Sequence, residues 1–275
     1  MLTLEQKQLI QEKAKAIRVN IVKAVTAAKS GHPGGSLSIA DVMSLLYFQE
    51  MNVNPNEPKD PNRDRFVLSK GHAAPALYAT LAEKGFFPTE ELLNLRKIDH
   101  ILQGHPDMKY IPGVDMSTGS LGQGISAACG MALAGKIDGV SYRVYSVLGD
   151  GELEEGQVWE AAMFAAHYKL SNLTAFVDFN GLQIDGDITK VMSPLPIDEK
   201  FKAFGWHVIV VDGHDIDALH EAVTEAKATT DKPTMVIMNT VKGKGVQAME
   251  GQAGWHGKAP SQEECDKFVA ELLEV

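Results

Sequence analysis

Cysteine is almost missing from this chain. Cys129 and Cys265 are the only two among 275 residues, and their separation fits no metal-ligand spacing. A disulfide framework is therefore set aside, and the expected setting is a reducing cytoplasm. Positive charge is also short: 26 Lys and Arg stand against 36 Asp and Glu, for a formal net charge of −10. Nucleic-acid binding wants a basic footprint and has none here, although an anionic small molecule needs only a few local donors. No apolar run is long enough to span a bilayer. The opening "MLTLEQKQLIQEKAKAIR" is charged throughout and lacks the apolar centre of a signal peptide. Repeats, low-complexity segments and interior linkers are absent too. With 44% apolar residues, the simplest organisation is a single α/β domain over residues 1–275.

What is present is a regular alternation of elements. Residues 3 to 29 read as a long helix ending at Ser30-Gly31, and Ser38 as the cap of a second helix over "IADVMSLLYFQE". "FVLSKGH" is a short strand, and "AAPALYATLAEKG" a helix stopped by Gly85. A short helix follows Thr89, then an irregular stretch from His100 to Ser120, then a helix opened by "LGQGISAACGMALAGKI". "YRVYSVL", "LTAFVDF", "WHVIVVD" and "PTMVIMNTV" read as near-continuous apolar strands. Helices "EEGQVWEAAMFAAHYK" and "IDALHEAVTEAKA" lie among them, the second capped by Asp215. Strands of this kind alternating with helices predict a parallel sheet covered by helices on both faces.

The chemistry concentrates at strand ends. "SVLGDGELEEGQ" (146 to 157) carries Asp150 between two glycines where a strand gives way to a helix. In open α/β sheets, ligands collect at such carboxyl ends. There glycine admits a close backbone approach, and a helix N-terminus offers N–H groups to an anion. The next strand ends at "VDFNGLQIDG" (177 to 186), which places Asn180 on the adjacent loop. Asp150, the Asn180 amide and a backbone carbonyl after it form a hard oxygen set. Such a set suits Mg²⁺ or Ca²⁺ with room left for diphosphate oxygens. A lone GDG is usually a turn, and Asn-Gly is a turn dipeptide. Two such loops at successive strand ends outweigh that reading. "KGKG" (242 to 245) lacks the Walker spacing and reads as a solvated turn, and "GSLGQG" departs from the GxGxxG dinucleotide pattern.

GDG followed by one helix, one strand and a strand-closing Asn resembles the thiamine diphosphate fingerprint. "SGHPGG" (30 to 35), "KGHAAPALY" (70 to 78), "LQGHPD" (102 to 107), "STGSLGQG" (117 to 124) and "WHG" (255 to 257) narrow the resemblance to transketolases. It covers nearly the whole chain in order, and deoxyxylulose-phosphate synthases fit less well. The resemblance implies that Asp150, the Asn180 side chain and the Leu182 carbonyl bind the metal. Gly151 and Asn180 would touch the diphosphate, and Gly119, Ser120 and Leu121 the cofactor rings. His72 would contact the cofactor. His32 and His256 would shuttle the sugar hydroxyl proton, with His256 also near the diphosphate. His105 would hydrogen-bond the first hydroxyls of the donor ketose. Glu155 would sit at the subunit contact, linked to the cofactor-activating glutamate. Histidine suits this work because it titrates near neutrality. Phe179 stands where many relatives carry a small polar residue, a change expected to affect packing and not the metal.

His100, His167, His207 and His220 are read as ordinary surface or core histidines, and "GHD" (213 to 215) as helix-capping sequence. Transketolases carry a further domain with the pyrimidine pocket and the activating glutamate, which nothing in this chain supplies. The expectation is the diphosphate-binding subunit of a split transketolase, working with a C-terminal subunit in an assembly with two copies of each chain. The alternatives are a non-catalytic cofactor-binding or regulatory module of the same fold and, more weakly, an NAD-dependent oxidoreductase.

Overall fold

The computed structural model describes residues 1–274. Helix α1 (Leu4–Ala28) begins at a capping box: the Thr3 hydroxyl accepts from Gln6 N–H while the Gln6 side chain accepts from Thr3 N–H. Helix α2 (Pro33–Leu37) starts earlier than the sequence suggests, because Pro33 at its first position presets the helical φ. Ser38 therefore does not cap the next helix, α3 (Ala40–Leu45). Its hydroxyl instead donates to the Gly35 carbonyl at 3.2 Å and to Asp178 Oδ2 at 2.7 Å.

Strand β1 (Arg65–Leu68) leads through "SKGHA" into α4 (Ala74–Lys84), which stops at Gly85 with φ 97° as expected. The segment after Thr89 is a 3₁₀ turn, and regular structure resumes only at α5 (Gln123–Asp138). Then come β2 (Val144–Gly149), α6 (Gly156–His167) and β3 (Leu173–Phe179). A small hairpin, β4 (Leu182–Gln183) with β5 (Gly186–Asp187), and helices α7 (Ile188–Val191) and α8 (Ile197–Ala203) fill a region without clear periodicity. The chain closes with β6 (His207–Asp212), α9 (Ile216–Ala228), β7 (Thr234–Asn239) and α10 (Gln262–Glu274). Asp215 caps α9 as predicted, accepting from Asp217 and Ala218 N–H.

The strands form one five-stranded parallel sheet in the order β1-β2-β3-β7-β6. Alternate residues feed two apolar layers, as the strand pleat requires. Phe66, Tyr145, Val147, Phe176 and Val236 pack with α1, α3, α4, α9 and α10. Val67, Leu148, Ala175, Val177 and Ile237 pack with α5, α6 and α8. Helices thus cover both faces, as expected for buried parallel strands. Among the described residues, no helix is long and apolar enough to cross a membrane.

One contact positions α5 against the end of β1. A Cβ on Gly124 would stand 2.5 Å from the Ser69 Cα, a backbone atom that cannot yield cheaply. Alanine in a helix is favoured over glycine by about 0.5–1 kcal/mol, but overpacking costs about 1–3 kcal/mol. The clash should win. Gly124→Ala is expected to lower the urea midpoint, and a raised midpoint would show that α5 rides freely on β1.

Candidate active site

Three strand ends, β2, β3 and β7, deliver the loops that build the site. After β2, Asp150 is 2% exposed. Its Oδ1 accepts from Gly151 N–H at 2.8 Å and its Oδ2 from Gly181 N–H at 2.7 Å. The second bond exists because Gly181 adopts φ 75° after Asn180, an Asn-Gly turn that aims its N–H across the gap. The Asn180 Oδ1 accepts from Leu182 N–H at 3.1 Å, and its Nδ2 donates to Asp178 Oδ2 at 2.8 Å. The two loop tips therefore meet, as the sequence requires. A 3₁₀ turn, Gly151–Glu154, separates Asp150 from α6, so the helix does not open directly on the GDG.

Asp178 is the hub beneath these tips. The fully buried Lys70 ammonium donates to its Oδ2 at 2.6 Å and to the Gly35 carbonyl at 2.7 Å. The Ser38 and Thr240 hydroxyls also donate to the Asp178 carboxylate. Burial alone would push that carboxyl up, but Lys70 and the hydroxyls more than reverse it, holding it below the usual range. Glu152 acts as a second hub near the GDG loop. It accepts from the Ser69 hydroxyl, Gly122 N–H and Gly149 N–H, tying the "STGSLGQG" loop to the GDG loop.

Four imidazoles converge beside this floor. The His32 ring lies 5.3 Å from that of His72, 5.4 Å from His256 and 6.5 Å from His105, while His72 and His256 are 5.1 Å apart. Burial depresses His32 to about 4, helped by Arg96, His105 and Lys242. Burial, then Lys242, holds His256 at about 4, and burial holds His72 well below its ordinary value. His105 is lowered by burial and Arg96. All four are proton acceptors at neutral pH. The buried Nδ1 of His32 has no hydrogen-bond partner among the described residues, a want that an exogenous hydroxyl would satisfy.

A cavity of about 310 Å³ opens between the floor and the imidazoles, lined by His72, Gly119, Leu121, Asp150, Asn180 and Leu182, with Gly151 and His256 at its margins. Ser120 and Glu155 are exposed and stand outside the lining, and His32 and His105 adjoin it through their ring contacts. Phe179 packs against the α5, α6 and α8 layer.

The principal correction concerns Lys242. The sequence places it in a solvated turn, but it is 2% exposed. Its Nζ donates to the Leu182 carbonyl at 3.0 Å and contacts His256 Nδ1 at 3.1 Å. Burial, then Lys70, lowers it to about 8. A lysine and glycine run such as "KGKG" is as compatible with a ligand-cradling loop as with a surface turn, so the motif alone does not decide. Lys70, Asp178 and Glu152 likewise lie within the glycine-rich and strand-end motifs, but nothing in their local sequence marks them as buried.

The residues present fit a divalent cation and a diphosphate. Burial, then repulsion from Asp178, raises the Asp150 carboxyl to about 7, the mark of an anion short of positive charge. The Leu182 carbonyl already faces a cation, the Lys242 ammonium. Among the described residues, no three His, Cys, Asp or Glu side chains converge as a metal group. The donor set is instead one carboxylate with an amide and a carbonyl, oxygen chemistry of the magnesium kind.

The family model for the transketolase thiamine diphosphate binding domain matches residues 9–272. The chain belongs to the transketolase family. Among its relatives in that family, a 6-deoxy-6-sulfo-D-fructose transketolase subunit from a Clostridium species is 48% identical over 98% of both chains. An apulose-4-phosphate transketolase subunit from Phocaeicola vulgatus is 42% identical over 98% of this chain and 95% of its own. Human transketolase is 47% identical, but this chain covers only 42% of it. The crystal structure of transketolase from Campylobacter jejuni superposes with a TM-score of 0.91 at 34% identity, over 96% of this chain and 43% of that one. This transketolase-family chain thus matches two subunit-length relatives end to end and about two fifths of the longer ones.

Proposed function

We propose that the chain is the diphosphate-binding subunit of a two-chain transketolase, moving a two-carbon ketol unit from a ketose phosphate to an aldose phosphate. The observation that carries this reading is the cluster of four imidazoles set beside a cavity floored by Asp150 and Lys242. Asp150, the Asn180 side chain and the Leu182 carbonyl hold Mg²⁺ or Ca²⁺. Lys242 and Gly151 face the diphosphate, and His72, Gly119, Ser120 and Leu121 border the cofactor rings. Thiamine diphosphate, when bound, supplies the electron sink for the transferred carbanion. His32 and His256 take the proton from a sugar hydroxyl and return it: both stand free of a ring proton charge at neutral pH and so are available to accept, and their low proton affinity favours the return. His105 hydrogen-bonds the first hydroxyls of the donor.

A partner chain would supply the pyrimidine pocket and the activating glutamate, with Glu155 at the contact and two copies of each chain in the assembly. Exposed apolar side chains support such a partner: Met163, Phe164 and Tyr168 at the end of α6, and Ile184, Met192 and Leu195 beyond the Asn180 loop. Residues 1–275 act as one domain in this reading, in a cytoplasmic setting. The test is ketol transfer by the purified chain with thiamine diphosphate and Mg²⁺, alone and with the co-purifying partner. No turnover alone and turnover together is the expected result. Robust turnover alone would overturn the two-chain reading, and no turnover with any partner would leave a non-catalytic binding module.

A further inference from the structure

Behind the Lys242 loop lies a second arrangement that the proposed reaction does not use. Arg18 on α1 grips Asp41 on α3 through two bonds, Nη1 to Oδ1 at 3.0 Å and Nη2 to Oδ2 at 2.5 Å. His214, in the loop between β6 and α9, meets the same carboxylate, with its Nδ1 2.8 Å from Asp41 Oδ2. The other ring nitrogen, Nε2, accepts from Val241 N–H at 2.9 Å. That bond settles the tautomer: Nε2 is bare, so Nδ1 carries the proton and donates it to Asp41. Both Asp41 and the His214 side chain are largely shielded from solvent.

Val241 is the residue before Lys242. The bonds from Arg18 through Asp41 and His214 therefore end on the backbone that delivers the buried ammonium to Leu182 and His256. A second clamp sits just beyond, where Gly243 N–H donates to the Gly34 carbonyl at 2.9 Å. The loop around Gly213 presses on the same segment, since a Cβ there would stand 2.4 Å from the Thr240 Cγ2. Lys242 is long and flexible, and without a fixed backbone its charge would wander.

We propose that His214 is a positioning residue for Lys242, holding the Val241 amide so that the ammonium is set in place for the cofactor diphosphate. The inference rests on the reading of the 310 Å³ cavity as the diphosphate site. His214 does not line that cavity. It works as an outer residue does when it orients one that makes the contact, an effect worth roughly 10-fold to 100-fold in affinity.

The structure also supplies the means to test it. His214, Arg18, Asp41, Lys244 and Gly245 line a separate open cavity of about 570 Å³, through which a small molecule can reach the ring's place. Thiamine diphosphate with excess Mg²⁺ is titrated calorimetrically into the full chain as wild type, His214→Ala and His214→Gln, each with and without free imidazole. His214→Ala is expected to keep the wild-type melting temperature within a few degrees and to bind roughly 10-fold more weakly. Imidazole should recover much of that loss in His214→Ala and leave wild type unchanged. His214→Gln, whose Oε1 can accept the Val241 N–H, should bind close to wild type.

If wild type binds and His214→Ala binds equally well, the inference falls alone. A weakening that imidazole does not relieve and that follows a lowered melting temperature would make His214 merely structural, and would also overturn it. Should His214→Ala not fold, His214→Gln decides, and weak binding by that folded variant counts against the inference. A wild-type chain that binds no thiamine diphosphate either alone or together with its co-purifying partner sinks the underlying site reading, and the inference with it.

Discussion

Asp150→Ala is expected to weaken Mg²⁺-dependent binding of thiamine diphosphate by about 100-fold or more, with the fold intact. The reason is that Asp150 is the only carboxylate among the proposed ligands, and the amide of Asn180 and the carbonyl of Leu182 cannot neutralise a divalent ion. The pH dependence follows from the cation-free carboxyl, raised by burial and by Asp178 to about 7. In the unfolded chain the same group sits near an ordinary ~3.9. Between these values the folded state binds the extra proton, so this group's contribution makes the cation-free chain less stable as pH rises from about 4 through about 7. Cation binding needs the carboxylate. Below about 7, Mg²⁺ should therefore displace a proton, and its affinity should fall by about tenfold per pH unit. Calorimetry in buffers of different ionisation enthalpy reads that proton directly. With a chelator at pH 8, Asp150→Ala should melt no lower than wild type, because a buried uncompensated charge has gone. Affinity within threefold of wild type would remove the basis of the metal assignment.

Asp178→Asn is expected to cost about 3–5 kcal/mol of unfolding free energy, the range for breaking a buried ion pair from one side. Lys70 would be left 1% exposed without a counter-charge, facing only the neutral Gly35 carbonyl and the new amide. Lys70→Met should cost less, since Asp178 would still accept from Ser38, Asn180 and Thr240. The order of the two losses in urea denaturation is the test, and an equal or reversed order would mean that the pair does not act as the geometry implies. The Asp178 contribution is present above the ordinary carboxylate range. It should be lost as pH falls through the group's lower folded value.

What sequence reasoning reaches, and where it stops, follows from the kind of signal each residue gives. The later strands, α1, α9 and the Gly85 stop announce themselves through local periodicity and capping, and the structure places them within a residue or two of expectation, whereas the first strand ends at Leu68, short of the "SKGH" the sequence assigns to it. Asp150 and Asn180 are legible because each sits beside glycine at a strand end. Lys242, Lys70, Asp178 and Glu152 are not, because a buried charge looks like a solvated one until its partners are known. Those partners lie far off in sequence: Lys70 with Asp178, Glu152 with Ser69, Lys242 with Leu182. Ser38 misleads for a more local reason. Proline at position 33 begins a helix first, and the serine hydroxyl is free to serve Asp178 instead.

The strand order has a consequence for the chain as it leaves the ribosome. Among the described residues β6 pairs with nothing but β7, and β7 is also the strand that pairs with β3 on that side. A chain truncated within α9 and released therefore carries one orphan apolar strand and one open sheet edge at the same time. Both are sticky, and they are silenced together only when the last strand slides between them. Truncation just before Thr234 should thus favour aggregation and chaperone capture more than truncation just before β6, which leaves the open edge without the orphan strand.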